Sequence, residues 1–229
     1  MDNAIKRLAW DSAFFNQEIA HVQNAEALNL IDYSGYDLVT LKLDAGNYSC
    51  ITEAQEVGFA FVESEVVFSK TLISHQQNQI SELNIATEND LEAVKAIARN
   101  AYSLSRYRLP YFDKNDRDKF YSTWIENAVR GEFDDVCLVI REQSKVAGYI
   151  SLKKDATTLK VGLIAVAEGF QGKGIGKRLL VLAEQYAYQA SCSVISVATQ
   201  ISNIGAINLY LKFGFTCQET SHWFYRGKV

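Results

Sequence analysis

Hydrophobic positions along the chain recur with two periods, and the expected elements follow from which period holds where. The run Phe59-Ala60-Phe61-Val62-Glu63-Ser64-Glu65-Val66-Val67-Phe68 reads as a strand, and period-two alternation puts Glu63 and Glu65 on one face with Val62 and Val66 on the other. Residues 74–79 are polar and uncharged, the weakest stretch for regular structure. A domain boundary is expected there, between an α/β unit over residues 1–78 that contributes to an acceptor pocket and a second unit over 79–229. Residues 83–86 read as a strand, and Thr87-Glu88-Asn89-Asp90 supplies an N-cap and an acidic first turn for a helix through Ala101. Residues 120–129 form an amphipathic helix closed by Arg130-Gly131. Residues 136–140 and 146–152 read as hairpin strands, followed by a strand over 159–167. A helix over 174–189 puts Ile175, Leu179, Leu182, Ala183 and Tyr186 on one face. Residues 194–199 read as an apolar strand, 203–213 as a helix stopped at Gly214, and Phe215 opens a further strand. One short echo stands out. Glu53-Ala54-Gln55-Glu56-Val57-Gly58-Phe59 and Tyr210-Leu211-Lys212-Phe213-Gly214-Phe215 each end a helix at Gly-Phe and enter a strand. The N-terminal region is on that ground a candidate half-copy of the same design.

Composition narrows the class. The 229 residues are 48% hydrophobic and 22% charged, enough apolar material for a substantial core. The net charge of −4 argues against a nucleic-acid partner, which calls for a surplus of Lys and Arg. No apolar run is long enough to span a bilayer and the N-terminal residues lack an apolar signal core, so a cytoplasmic location without membrane attachment is expected. Cys50, Cys137, Cys192 and Cys217 lie far apart and read as free thiols, buried for the most part. With His21, His75 and His222 clustered neither with one another nor with cysteine, no metal site is expected.

The chemistry-bearing motif is Gln171-Gly172-Lys173-Gly174-Ile175-Gly176, with Lys177 next, placed between a strand and an amphipathic helix. The first N–H groups of a helix have no internal partner, glycine lets a ligand approach the backbone, and the helix dipole favours negative charge there. A pyrophosphate fits such a site. The alternating glycines do not match the dinucleotide fingerprint, and the P-loop pattern is absent.

This loop resembles the Q/R-x-x-G-x-G/A signature of the GNAT acetyltransferase superfamily. The second family signature, N-x-x-A-x-x-x-Y-x-x-x-G-F, is matched by residues 203–215 with Asn203, Ala206 and Tyr210. The resemblance implies an α/β GNAT fold: a mixed central sheet flanked by helices, here with a smaller N-terminal α/β domain. It implies a strand before the loop that splays from its neighbour, a pantetheine arm lying in the gap, and backbone amides of Ile164, Ala165 and Val166 polarising the thioester. It implies that Asn203 contacts pantetheine and that Tyr210 faces the leaving sulfur. A phenol stays protonated at neutral pH and can serve a thiolate; a packing aromatic is the plainer reading of Tyr210 alone.

Trp10-Asp11-Ser12-Ala13-Phe14-Phe15, Ser105-Arg106-Tyr107-Arg108 and residues 120–131 resemble a narrower subgroup, the dTDP-fucosamine acetyltransferases of surface-polysaccharide synthesis. That likeness implies N-acylation of a dTDP-linked amino-dideoxyhexose at C3 or C4, from acetyl-CoA or 3-hydroxybutanoyl-CoA, by a homodimer. Residues 105–118 read as a loop in which Arg106 and Arg108 suit phosphate oxygens, while Tyr107, Tyr121 and Trp124 offer flat surfaces for a base or sugar. A solvated loop pinned by its aromatics is the alternative. Glu63 is the candidate base for the amine, against two solvent-facing carboxylates on a polar strand. Direct transfer without a cysteine intermediate is expected, since no cysteine stands beside a histidine in sequence. The rival functions are a GNAT enzyme acting on a protein amine and a non-catalytic acyl-CoA sensor.

Overall fold

The computed structural model describes residues 4–26, 28–73 and 83–227. Side chains fix the helix starts. Thr87 donates its amide to Asp90 Oδ2 at 2.9 Å and its hydroxyl to the same oxygen at 3.1 Å, and the turn runs on into α3 (Leu91–Ala101). Asp113 accepts from the Asp116 amide at 2.8 Å and opens α4 (Lys114–Val129), so the expected loop over 105–118 ends early. That first turn is polar, with Lys114 and Asp118 paired at 2.6 Å, and carries no apolar period for a sequence reading to detect. The strand expected at 83–86 is reduced to a single bridge, Ile85 to Leu138.

The other elements, in chain order, are β1 (Ile5–Arg7), α1 (Ala9–Phe15), β2 (Ile19–Val22), β3 (Leu38–Asp44), α2 (Tyr48–Glu56) and β4 (Ala60–Thr71). After α3 and α4 come β5 (Val136–Glu142), β6 (Lys145–Asp155), β7 (Thr158–Val166), α5 (Ile175–Gln189), β8 (Val194–Gln200), α6 (Ile204–Lys212) and β9 (Thr216–Gly227). Among the described residues these strands form one mixed sheet, in the order β1-β2-β3-β9-β4-β8-β7-β6-β5. The expected boundary at 74–79 lies outside the described residues, and strands from both sides of it share this sheet. α5 and α6 pack a core of Leu138, Ile150, Leu159, Leu179, Ile195 and Tyr210. α1, α3 and α4 cover a second core of Phe15, Phe120, Ile125, Tyr149 and Tyr225, and α2 a third with Val39, Leu41 and Phe224.

The faint echo in the sequence is an internal two-fold. The units β3-α2-β4 and β8-α6-β9 match element for element at a constant offset of 156 residues, Leu38 with Val194 and Thr71 with Gly227. Asn47 (φ −84°, ψ 69°) and Asn203 (φ −86°, ψ 68°) cap the two helices, and Gly58 and Gly214 end them at the same φ of 89°. The axis passes through the cross-strand pair Glu65–Ser221; Ser64–His222 maps onto Val66–Thr220, and the bulge at Phe61/Glu63 onto that at Val67/Phe68. Even the side-chain ties repeat: Arg226 Nε donates to Val57 O at 3.0 Å, and Lys70 Nζ to Phe213 O at 2.9 Å. Each half lends a strand to the other, since β9 lies between β3 and β4 while β4 lies between β9 and β8.

Candidate active site

β7 and β8 run parallel from Thr158–Val194 to Val161–Val197 and are not paired beyond. β7 continues to Val166 along β6, so the two neighbours part and leave an open wedge. Ala167 donates its amide to Ala147 O of the β6 side at 2.9 Å. Alternation along the strand turns the amides of Val166 and Ile164 to the opposite edge, into the wedge, and that of Ala165 toward β6. α5 starts at the mouth. Gly174, its N-cap, sits at φ 78°, a conformation that costs an L-residue about 1–2 kcal/mol, and no side chain caps the first turn. Gln171, Gly172, Lys173 and Lys177 are exposed, Ile175 is buried in the core and Gly176 abuts Leu209 of α6. A cavity of about 510 Å³ lies between this loop and α3, bounded by Val166, Glu168, Gln171, Ile97 and Asn100.

The other wall of the wedge comes from α6. Asn203 accepts from the Ala206 amide at 3.2 Å and donates to Thr199 at 3.3 Å, which aims the helix start at the wedge. Tyr210 packs against Phe68 and Phe215, and burial holds its phenol above the ordinary range. Burial also raises Tyr102, at the end of α3 on the opposite face, where Tyr149, Tyr121 and Tyr210 add to the effect. Tyr210 belongs to the core under α6, and Tyr102 packs against the core under α3. Glu63 is buried. Its carboxylate accepts from Arg108 Nη1 at 3.0 Å, from Ser202 Oγ at 3.3 Å and from the Ser64 amide at 2.9 Å. Ser202 immediately precedes Asn203, so Glu63 stands beside the wedge. Glu63 and Glu65 do share a face, Glu65 accepting from Lys42 at 2.7 Å and from Trp223 at 3.1 Å. The bulge between Phe61 and Glu63 brings Val62 to that side as well, into the core with Tyr225, whereas Val66 joins the α6 core.

Arg106 and Tyr107 meet in a second cavity, and Arg108 ties instead to Glu63 and to Val62 O. Tyr121 is buried under this loop, stacked on Tyr102 at 4.2 Å and bonded to Ser105 at 2.8 Å. Trp124 donates to Asp134 at 3.1 Å and does not line the cavity. Of the cysteines, Cys137 and Cys192 are buried, Cys50 half-buried and Cys217 exposed, all free. Among the described residues no acid, His or Cys cluster is placed to hold a metal, and no helix is long and apolar enough to cross a membrane.

The acetyltransferase (GNAT) family model matches residues 99–215. The dTDP-fucosamine acetyltransferase of Escherichia coli O6:H1 is 34% identical over 97% of this chain and 98% of its own length. The chain belongs to the GNAT acetyltransferase family. Another relative, the spore coat polysaccharide biosynthesis protein SpsD of Bacillus subtilis, is 31% identical over 63% of this chain and half of its own. The solved tandem GNAT protein from the clavulanic acid biosynthesis pathway covers 91% of this chain and 75% of its own at a TM-score of 0.57 and 15% identity, a likeness of fold. GNAT enzymes use acyl-CoA, and the residues fit one: an uncapped helix start on glycine for a pyrophosphate, then a wedge with free edge amides for an extended arm. Reading the sequence for GNAT signatures did not find His21, Thr40 and Trp223, which line the Arg106 cavity from three separate strands.

Proposed function

We propose that this GNAT enzyme transfers an acyl group from acyl-CoA to the amine of a dTDP-linked amino-dideoxyhexose in surface-polysaccharide synthesis. The observation that carries the acceptor is the end-to-end likeness to a protein named for dTDP-fucosamine, which extends through the N-terminal half. On this reading residues 171–177 hold the pyrophosphate of the coenzyme, and Asn203 and Ala206 border its arm. Acyl-CoA supplies the activated acyl carbon as a thioester. The amides of Ile164 and Val166, with Ala165 fixing the strand between them, meet the oxygen that gains charge when the neutral amine attacks. Tyr210 gives its proton to the departing thiolate. Glu63, beside the wedge and held by Arg108, takes the proton of the amine through water, and Arg106, Tyr107 and Arg108 bind the acceptor over a base of Tyr121 and Trp124. Holding both reactants in one site supports direct transfer. The reading includes a cytoplasmic homodimer, checked by light scattering.

The test is product analysis. The protein is incubated with dTDP-amino-dideoxy sugars bearing the amine at C3 or C4, each with acetyl-CoA and with 3-hydroxybutanoyl-CoA. One pair should gain the mass of its acyl group, and Tyr210→Phe should suppress it. Acetyl-CoA binding with no product from any pair would move the acceptor to a peptide amine or leave a sensor.

A further inference from the structure

β2 and β3 part after the pair His21–Thr40, as β7 and β8 part after Val161–Val197. The internal two-fold makes these two openings counterparts. Beside the N-terminal one, on the sheet face over Ile19, His21 and Thr40, lies a cavity of about 230 Å³. Among the described residues, the chain beyond β2 offers a short 3-10 turn there and no glycine loop with a long helix, so the cavity is not read as a second coenzyme site.

Its walls carry an unusual charge. The Arg106 guanidinium lies 4.0 Å from the Trp223 ring centre and 4.4 Å from that of Tyr107. It donates to the Tyr107 hydroxyl at 2.9 Å and to that of Tyr225, and no carboxylate forms an ion pair with it among the described residues. Asp11 lines the same cavity, but burial pushes its carboxyl up, against the pull of Arg106. A guanidinium sunk among aromatic faces favours an anion brought from outside. Across from it, the Thr40 hydroxyl donates its one proton to Ala20 O at 3.1 Å. Its contact with His21 Nδ1 at 2.9 Å is then a bond that the ring donates, which leaves Nε2 as an acceptor. Burial first, and then the Arg106 charge, hold His21 below the usual histidine range, which favours the neutral ring.

We infer that this cavity takes the nucleoside-diphosphate end of the acceptor, with phosphate on Arg106 and the ring N–H of a thymine-type base donated to His21 Nε2. The inference rests on the acceptor reading above. From β8, beside which the wedge opens, to β3 is three strand spacings, roughly 14 Å, within reach of an extended nucleotide sugar. Glu63 on β4 and Trp223 on β9 lie in between. Thymine and uracil carry a donor at ring N3, where cytosine carries an acceptor. A buried acceptor nitrogen rejects the second, because both lone pairs would face each other unpaired.

Calorimetric titration of the whole chain with dTDP, dCDP and inorganic pyrophosphate tests this. dTDP should bind about tenfold or more tightly than dCDP. His21→Ala should erase that preference, and His21→Gln, which returns an acceptor near Nε2, should keep part of it. Arg106→Lys should weaken dTDP and pyrophosphate alike by about tenfold or more. Arg106 also ties Tyr107 to Tyr225, so its variant is melted in parallel, and the His21 pair decides if it proves unfolded. Equal affinity for the two nucleotides in the wild type, or an unchanged preference in His21→Ala, overturns the assignment. Turnover of a dTDP-amino sugar alongside that result would leave the proposed function standing. The full binding pattern without turnover of any such sugar would keep the nucleotide site and overturn the acceptor reading.

Discussion

A phenol that must give up a proton has to keep it until the moment of use. In the reaction proposed above, burial would do this for Tyr210, whose ionisation it holds above the ordinary range. Tyr210→Phe keeps the ring against Phe68 and Phe215 and removes only the proton. We expect kcat to fall by about 10²–10⁴ with little change in melting temperature, read from steady-state kinetics and calorimetry. An unchanged kcat would end the acid role. The same physics sets a pH limit on the fold. Tyr102, Tyr107, Tyr149 and Tyr210 are all raised, chiefly by burial, above the ordinary phenol value of 10.0. Folded tyrosines then retain protons that unfolded ones release. The stabilisation is complete below pH 10.0 and is lost as pH rises through the raised folded values. Urea midpoints should hold level through neutral pH and decline above about pH 10, and a midpoint that stays level there would contradict the burial of these phenols.

At the level of elements, β7 shows how one small residue holds a site in shape. A Cβ on Gly162 would lie 2.3 Å from Asp134 Oδ2, the oxygen that accepts from Trp124. Gly162→Ala should lose about 1–3 kcal/mol in urea denaturation, and a neutral result would mean that the Asp134–Trp124 tie is not held there. Gly174→Ala strains the start of α5 and should raise KM for acetyl-CoA while leaving the sheet intact by circular dichroism. These elements were legible to different degrees. The glycine loop at 171–176 reads from the sequence as the start of a helix because its parts are contiguous, and its role toward the coenzyme stands as proposed. The amphipathic helices read because each buries one periodic face. The first turn of α4 did not read, since solvent and a Lys114–Asp118 pair leave no period in it. Strand alternation correctly paired Glu63 with Glu65, yet misplaced Val62, because a bulge adds a residue that no pattern announces. The Arg106 cavity was half legible: arginine and tyrosine in one loop suggested an anion site, but His21, Thr40 and Trp223 are ordinary strand residues until the sheet assembles them.

For the molecule as a whole, the two-fold was faint in sequence because few matched positions keep the same residue. Asn47 and Asn203, Gly58 and Gly214, and Phe59 and Phe215 are the caps, turns and anchors that geometry demands. Most of what lies between has diverged, Ile51 and Ile207 apart, down to Ala54 standing where Tyr210 stands in the other half. Because β4 and β9 are exchanged, neither half contains its own complete sheet. A fragment of residues 83–229 should therefore show no cooperative melt alone and regain one when residues 1–73 are added. A cooperative transition of the isolated fragment would show the exchange to be dispensable.

The exchange also has a consequence for synthesis. β3 and β4 leave the ribosome long before β9, the strand that must lie between them. Until it arrives, a nascent chain holds a vacant slot in the middle of its sheet, with unpaired edges and the apolar sides of Leu38, Leu41 and Val62 uncovered. Folding of the N-terminal region cannot finish during its own translation. It waits for the C-terminal one, and chaperone engagement of stalled chains should last until β9 emerges.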